Sequence, residues 1–240
     1  MKKPRVSSIK VGGVEVEVLR KDIKNLNLSV RPPDGDVRVS APRYMDADAV
    51  RLALVSRFAW IHKKQRLFKE VNRQPEREMA SGESHYFRGT RYRLEVIERN
   101  GSARLCVMGK TLRMEVRPGV DWEGRRRTLN DWHRQHVKDE IPELVKKCEP
   151  IMGVSVAEWG VKRMKTRWGS CNTQARRIWL NSELAKKPPR CLEYVLVHEM
   201  AHLLERNHTD RFRSLMHRFL PSWRSCQAEL DSAPLPHENW

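Results

Sequence analysis

The chain has 240 residues, 39% of them hydrophobic and 32% charged, which are the proportions of a globular protein and exclude a disordered one. Lys and Arg outnumber Asp and Glu by 47 to 30, a formal charge of +17, and a field of that sign attracts nucleic acid, nucleotides or acidic surfaces. No stretch approaches the roughly 18 consecutive apolar residues that cross a bilayer, and Met1-Lys2-Lys3-Pro4-Arg5 leads into a mixed polar segment where a signal peptide would have an apolar core, so the expected address is cytoplasmic, with no membrane partner.

The first elements alternate. Ile9, Val11, Val14, Val16 and Val18, then Leu26, Leu28 and Val30, a Pro32-Pro33-Asp34-Gly35 turn, and Val37 and Val39 predict a β-meander. After Pro42, Asp46 is a helix-start signal. Val50, Leu52, Leu54, Val55, Phe58, Trp60, Ile61 and Leu67 then recur at helical spacing and predict one long amphipathic helix. Residues 73–84 are polar and lack periodicity, as in a loop or hinge.

Strand-like alternation resumes with Tyr86, Tyr92, Leu94 and Val96 as one strand, and with Leu105–Val107 and Leu112–Val116 as others, around Asn100-Gly101 and Met108-Gly109 turns. A helix from about Trp122 to Cys148 follows. Short strands at Ala157–Met164 and Ile178–Asn181 flank Arg167-Trp168-Gly169-Ser170-Cys171, and Pro188-Pro189 opens a further helix. No internal repeat is visible. The pattern predicts an α+β fold: a β-rich N-terminal region with one long helix at 1–120, a metal-binding catalytic region at 121–232, and a loose tail at 233–240. Cys106, Cys148, Cys171, Cys191 and Cys226 are scattered and form no C-x-x-C pair, which argues against a disulfide framework and against a thiolate zinc site.

The chemistry concentrates in Val197-His198-Glu199-Met200-Ala201-His202, an H-E-x-x-H pattern inside a helical segment. Residues four apart share a helix face, so His198 and His202 can reach one ion, while Glu199, about 100° round, can touch a water bound to it. Leu192, Val195, Leu203 and Leu204 place these polar groups in apolar surroundings, a costly arrangement unless a metal repays it. A catalytic zinc needs a third protein ligand and an open position. Glu205 lies seven residues past His198, about 10.5 Å along a continuous helix, too far to share its ion. His208 follows Asn207, a residue that tolerates the left-handed conformation ending many helices, so the chain can turn there and return His208 to the metal. The competing reading makes His208 a neighbour of Thr209, which caps a helix whose Phe212, Leu215, Met216 and Phe219 form a core stripe. The spacing from His198 to His208 equals that of metzincins, but Glu205 stands where their glycine would be and no Met-turn follows.

Arg167-Trp168-Gly169-Ser170-Cys171, Ile178-Trp179-Leu180-Asn181, the Tyr194–Leu203 segment around H-E-x-x-H, Asn207-His208 and Phe212 together resemble the YgjP family, which is related to SprT-like and WLM metallopeptidases. The likeness is strong over 155–223 and looser towards the N-terminus. It implies a minimal zincin-like unit, the H-E-x-x-H helix packed on a small sheet, with one zinc ion held by three histidines. It leaves the substrate open, because relatives are mostly labelled peptidases from the motif while a pyrophosphatase activity on UTP is also ascribed to the family.

Arg167, Trp168, Ser170 and Asn181 are the candidate substrate-binding residues, although a Trp-Gly turn that packs the core explains Trp168 equally well. The basic run Lys162, Arg163, Lys165 and Arg167, with Arg176 and Arg177, reads as a solvated face or as a phosphate clamp. A peptide substrate would add to an edge strand near Ile178–Asn181. Three functions follow: a zinc metallopeptidase with Glu199 as general base, a nucleoside triphosphate pyrophosphohydrolase on the same ion, and a basic nucleic-acid-associated protein with structural zinc.

Overall fold

The computed structural model describes residues 5–31, 35–72 and 78–232. The Pro32-Pro33-Asp34 part of the predicted turn, residues 73–77 of the polar loop, the Leu67 side chain and the tail from 233 lie outside the described residues. The fold is α+β and divides into two compact units, one ending at Glu76 and one running from Arg77 to Leu235.

In the first unit β1 (Arg5–Val11) and β2 (Val14–Lys21) form an antiparallel hairpin. Strand β2 lies parallel to β4 (Asp36–Pro42), and β3 (Asn27–Arg31) runs antiparallel to β4, so the order is β1-β2-β4-β3 and not the expected meander. Burial accounts for the difference. Val16, Val18, Val37 and Val39 are each at most 2% exposed, so the strands with the deepest valines take the centre, while Leu28 and Val30 of β3 stay partly buried at the edge.

Asp46 caps α1 (Ala47–Val55), its carboxylate accepting the Ala49 N–H at 2.6 Å. The single long helix expected here is two. The Ser56 hydroxyl donates to the Ala53 carbonyl at 3.0 Å and the Arg57 N–H reaches back only three residues, to Leu54, which tightens the turn before α2 (Phe58–Asn72) begins.

The second unit opens with the same arrangement. Strands β5 (Ser84–Phe87), β6 (Thr90–Glu98), β7 (Arg104–Met108) and β8 (Thr111–Val116) take the order β5-β6-β8-β7 with β6 parallel to β8, and Asp121 caps α3 (Trp122–Met152) by accepting the Gly124 N–H at 2.8 Å. The first hairpin turns also match: Gly12 and Gly13 have φ of 55° and 82°, Arg88 and Gly89 of 50° and 78°. A ββββα module therefore occurs twice. It escaped sequence inspection because Leu94, Leu112 and Met114 fill the core where the first copy uses valines, and because Arg88 occupies a left-handed position where glycine would have signalled a turn. The same residue hides the hairpin between Tyr86 and Tyr92, which were expected in one strand.

The contacts divide after Glu76 and not at 120, where the sequence reading put the boundary. Leu129 of α3 closes the core over the β5–β8 sheet, and the turn between β5 and β6 is tied to the metal-binding region by Arg88 N–H to Ala185 C=O (2.8 Å) and Gly89 N–H to Lys186 C=O (3.1 Å). Further along α3, Val137, Ile141, Cys148 and Met152 join Ile178, Leu180, Leu196 and Met200 in the largest core.

That core carries a three-stranded sheet in which β11 (Arg177–Asn181) is central, parallel to β9 (Glu158–Lys162) and antiparallel to β10 (Gly169–Asn172). Because β11 is paired on both sides it cannot accept an added strand, and the free edge beside the metal helix is β10, which corrects the edge expected at 178–181. A 3-10 turn at Ser182–Lys186 leads to α4 (Pro189–Ala201), followed by α5 (Asp210–Phe219) and α6 (Trp223–Ser232). Among the described residues no helix is long and apolar enough to cross a membrane.

Candidate metal centre

Helix α4 starts at Pro189, where a missing N–H costs nothing, and is buried on nearly every side by Leu192, Val195, Leu196, Val197, Met200 and Ala201. That burial fixes its last turn, and with it the directions of His198, Glu199 and His202. His202 is the C-cap. Beyond it Leu203 and Leu204 donate to carbonyls only three residues back, at 3.0 Å each, so the helix winds into a tight turn that reverses the chain. Asn207 does not adopt the left-handed conformation expected of it. Instead its N–H is held by the Glu205 carboxylate at 3.2 Å, and Thr209 caps α5 through the Phe212 N–H at 3.3 Å. His208 sits between these two devices, so the cap at Thr209 and the return of His208 to the other histidines occur together.

The three imidazoles converge. Ring centroids are 5.0 Å apart for His198–His202 and His198–His208 and 4.9 Å for His202–His208, and one nitrogen from each lies within 4.8 Å of the other two. Among the described residues no other group of three metal-binding side chains is drawn together in this way. Phe212 packs against all three rings at 4.8 to 5.0 Å, giving them a rigid apolar support. The His202 Nδ1–H donates to the Glu205 carbonyl at 3.2 Å, leaving Nε2 as the ligand atom. His198 and His208 approach Nε2 to Nε2 at 3.0 Å, so the two nitrogens cannot both point a proton at each other. Burial chiefly, and then the neighbouring imidazoles, lower the His198 pKa to about 4, and burial lowers that of His202 too, which favours both rings as neutral donors. Three imidazole nitrogens fit a divalent transition ion with one position left for water.

Glu199 projects into the same cleft but is only 6% exposed, and burial pushes its carboxyl up to about 8 while Arg167 pulls the other way. Its room is defined by Gly169 of β10. A Cβ added there would lie 2.7 Å from Glu199 Oε1, 2.8 Å from its Cγ and 2.8 Å from Val195 Cγ1, so only glycine admits the carboxylate in this position.

The cleft encloses about 630 Å³ between β10 and the end of α4. Of the candidate substrate-binding residues, Arg167 and Ser170 line it. Trp168 does not; it packs against the core with Lys187 Nζ 5.6 Å from its ring, which is the packing role weighed for it from the sequence. Asn181 is also absent from the cleft wall. Fully buried, it donates to the Met164 and Arg167 carbonyls at 2.9 and 2.7 Å and accepts from the Glu183 N–H at 3.1 Å, so it holds the loop that delivers Arg167 and Gly169. Of the basic run only Arg167 lines the cleft, while Arg163 pairs with Glu183, Arg177 with Glu158, and Lys162 covers Trp179.

Sequence reasoning missed Gly169 and Arg206 at the site, and Cys171 beside Glu199. Burial and the Glu199 carboxylate raise the Cys171 thiol to about 11, which keeps it a neutral wall and not a ligand. Gly169 lay within a quoted motif but carried no stated role, and Arg206 had no signal beyond its position four residues after His202.

No curated protein matches the sequence. A solved structure similar to part of it is the metallopeptidase zymogen of Pyrococcus abyssi abylysin, with 18% identity over 39% of this chain and 90% of that chain and a TM-score of 0.34. Residues 24–233 match the family described as YgjP-like, metallopeptidase domain. The match spans most of the 240 residues, both units included, and the chain accordingly belongs to the YgjP-like metallopeptidase family, as a metal-dependent hydrolase of the peptidase type.

Proposed function

We propose that the protein is a zinc metallopeptidase in which His198, His202 and His208 hold one zinc ion and Glu199 is the general base. The observation that carries this reading is the convergence of three imidazoles beside a single buried carboxylate, all open to one cleft. Zinc, when bound, polarises the substrate carbonyl and lowers the pKa of the attacking water. In its ionised form Glu199, which burial makes a stronger base than an ordinary carboxylate, takes the proton from that water and returns it to the leaving amine. Its seclusion from bulk solvent keeps the proton on the carboxylate between the two events. The free edge of β10 runs along the cleft and gives an extended peptide main-chain partners, which orients the scissile bond over the histidines. A cytoplasmic, reducing location fits the five free cysteines, three of them buried.

A nucleoside triphosphate pyrophosphohydrolase is the second reading, favoured by two arginines, Arg167 and Arg206, in the cleft wall. Incubation of zinc-loaded protein with unfolded casein and, separately, with UTP discriminates the two. Casein fragments that disappear with chelator and with Glu199→Gln, the variant keeping its zinc, are the expected result; chelator-sensitive hydrolysis of UTP with intact casein overturns the peptidase reading.

A further inference from the structure

We infer that Arg167 and Arg206 make the cleft selective for peptides with acidic side chains flanking the scissile bond, an inference that rests on the peptidase reading. The two guanidinium groups reach the cleft from different elements. Arg167 arrives on the loop before β10 and lies close enough to Glu199 to act on its carboxyl, whereas Arg206 comes from the turn after α4, four residues beyond His202.

Both are exposed, and apart from the pull of Arg167 on Glu199 neither side chain has a charged partner among the described residues. Several other basic groups near the site are engaged: Arg163 with Glu183, Arg177 with Glu158, Arg213 with Asp210. The acids nearest in sequence are also occupied, Glu205 by the Asn207 N–H and Asp210 by Arg213. Glu199 is therefore the one carboxylate in the cleft wall, and it belongs to the chemistry. A concave wall with two exposed guanidinium groups against one carboxylate focuses a positive field. The excess of 47 basic over 30 acidic residues extends that attraction to longer range. Carboxylate side chains beside the scissile bond would meet these guanidinium groups, with lysine repelled from the same places.

The test uses zinc-loaded full-length protein and quenched fluorescent peptides identical except at the two flanking positions, carrying Asp on both, Gln on both, Lys on both, or Asp on one flank only. Each solvent-exposed pair contributes a factor of roughly two to five, so kcat/KM for the doubly acidic peptide exceeds that of the Gln peptide about tenfold, and the ratio shrinks with added salt. Arg206→Glu inverts the preference to Lys on one flank, and Arg167→Gln removes it on the other. Peptide affinity is also measured in the Glu199→Gln background by fluorescence anisotropy, where any influence of Arg167 on Glu199 is absent; the same order of affinities is expected. Equal cleavage of the Asp and Gln peptides, with Arg206→Glu showing the wild-type profile, overturns the inference and leaves the peptidase reading intact. Failure to cleave any of the peptides, with casein also intact, removes the peptidase reading and this inference with it.

Discussion

Gly169→Ala places a methyl group against the proposed base. The added Cβ meets Glu199 Oε1 at 2.7 Å and two further atoms at 2.8 Å, so the carboxylate must retreat by roughly 0.8 Å to regain an ordinary separation of about 3.5 Å. Glu199 and Val195 are both buried in the packed flank of α4 and have little space to yield. The Gly169 backbone is not left-handed, so alanine adds no torsional cost and the effect is purely one of packing. Overpacking of this kind costs about 1–3 kcal/mol, or a fall in Tm of roughly 2–12 °C for a chain of this size. Displacement of a catalytic group by about 1 Å lowers turnover on the order of 100-fold. None of the three nearest atoms belongs to His198, His202 or His208, so metal content by mass spectrometry is expected to stay at the wild-type level. Casein cleavage, calorimetry and metal analysis on the same preparation separate these effects. Adding Val195→Ala relieves one of the three contacts and not the two with Glu199, so turnover stays low in the double variant. Wild-type turnover in Gly169→Ala would refute the claim that Glu199 acts from the position seen here.

His208→Ala removes one of three ligands and weakens zinc binding by more than the roughly 10–100-fold that a lost outer-shell partner costs, read by competition with a chromogenic chelator. Asn181→Ala leaves the buried Glu183 N–H and the part-buried Met164 and Arg167 carbonyls without this partner, so unfolding in urea shows a loss of about 1–3 kcal/mol, with turnover reduced as the Arg167–Gly169 loop loosens. His133, 2% exposed and facing Lys186, His85 and His136, has its pKa lowered well below 6.5, mainly by burial. The folded state then binds fewer protons than the unfolded one below pH 6.5, so stability is level above that pH and falls as the pH drops beneath it, by up to about 1.4 kcal/mol per unit. Denaturation from pH 7.5 to 5 is expected to show a shallower slope in His133→Leu than in the wild type, and equal slopes would exclude His133 as the source.

The metal-binding half of the site was legible because its information is local. Two histidines four apart on a buried helix face fix their own geometry, and the distance along the helix axis already separated Glu205 from His208 as a ligand. What escaped depends on partners distant in the chain. Strand β10 reads Gly-Ser-Cys-Asn, with no apolar alternation, and is a strand because β11 pairs with it. Asn181 looked like a cleft residue because it is polar beside the motif, yet its fully buried side chain instead binds the carbonyls of the loop that delivers Arg167, a role invisible until the loop is in place. The importance of Gly169 lies in the approach of a side chain thirty residues later in the sequence. The swap of strand order in both sheets has the same origin, since alternation tells which face of a strand is buried and is silent about its neighbours.

The duplicated module shows how the site acquired its support. In the first copy the helix after the capping Asp46 breaks at Ser56, and its deepest residues, Val50, Leu54 and Ile61, belong to the core of its own sheet. In the second copy the helix after Asp121 runs unbroken for 31 residues to Gly153. Its first turns do what α1 does, with Leu129 closing the sheet beneath it. Its later turns carry a second apolar stripe, Val137, Ile141, Cys148 and Met152, which has no sheet of its own module to cover and is buried among α4, β9 and β11. A short helix serves one core, whereas this one spans two and joins them rigidly. The turn between β5 and β6 adds a second attachment, through Arg88 and Gly89, to the segment just before α4. The metal helix is thus held at its entry by the hairpin of a repeated module and along its flank by that module's extended helix, and the order required to keep three imidazoles and a carboxylate in register comes from these two attachments as much as from the H-E-x-x-H segment itself.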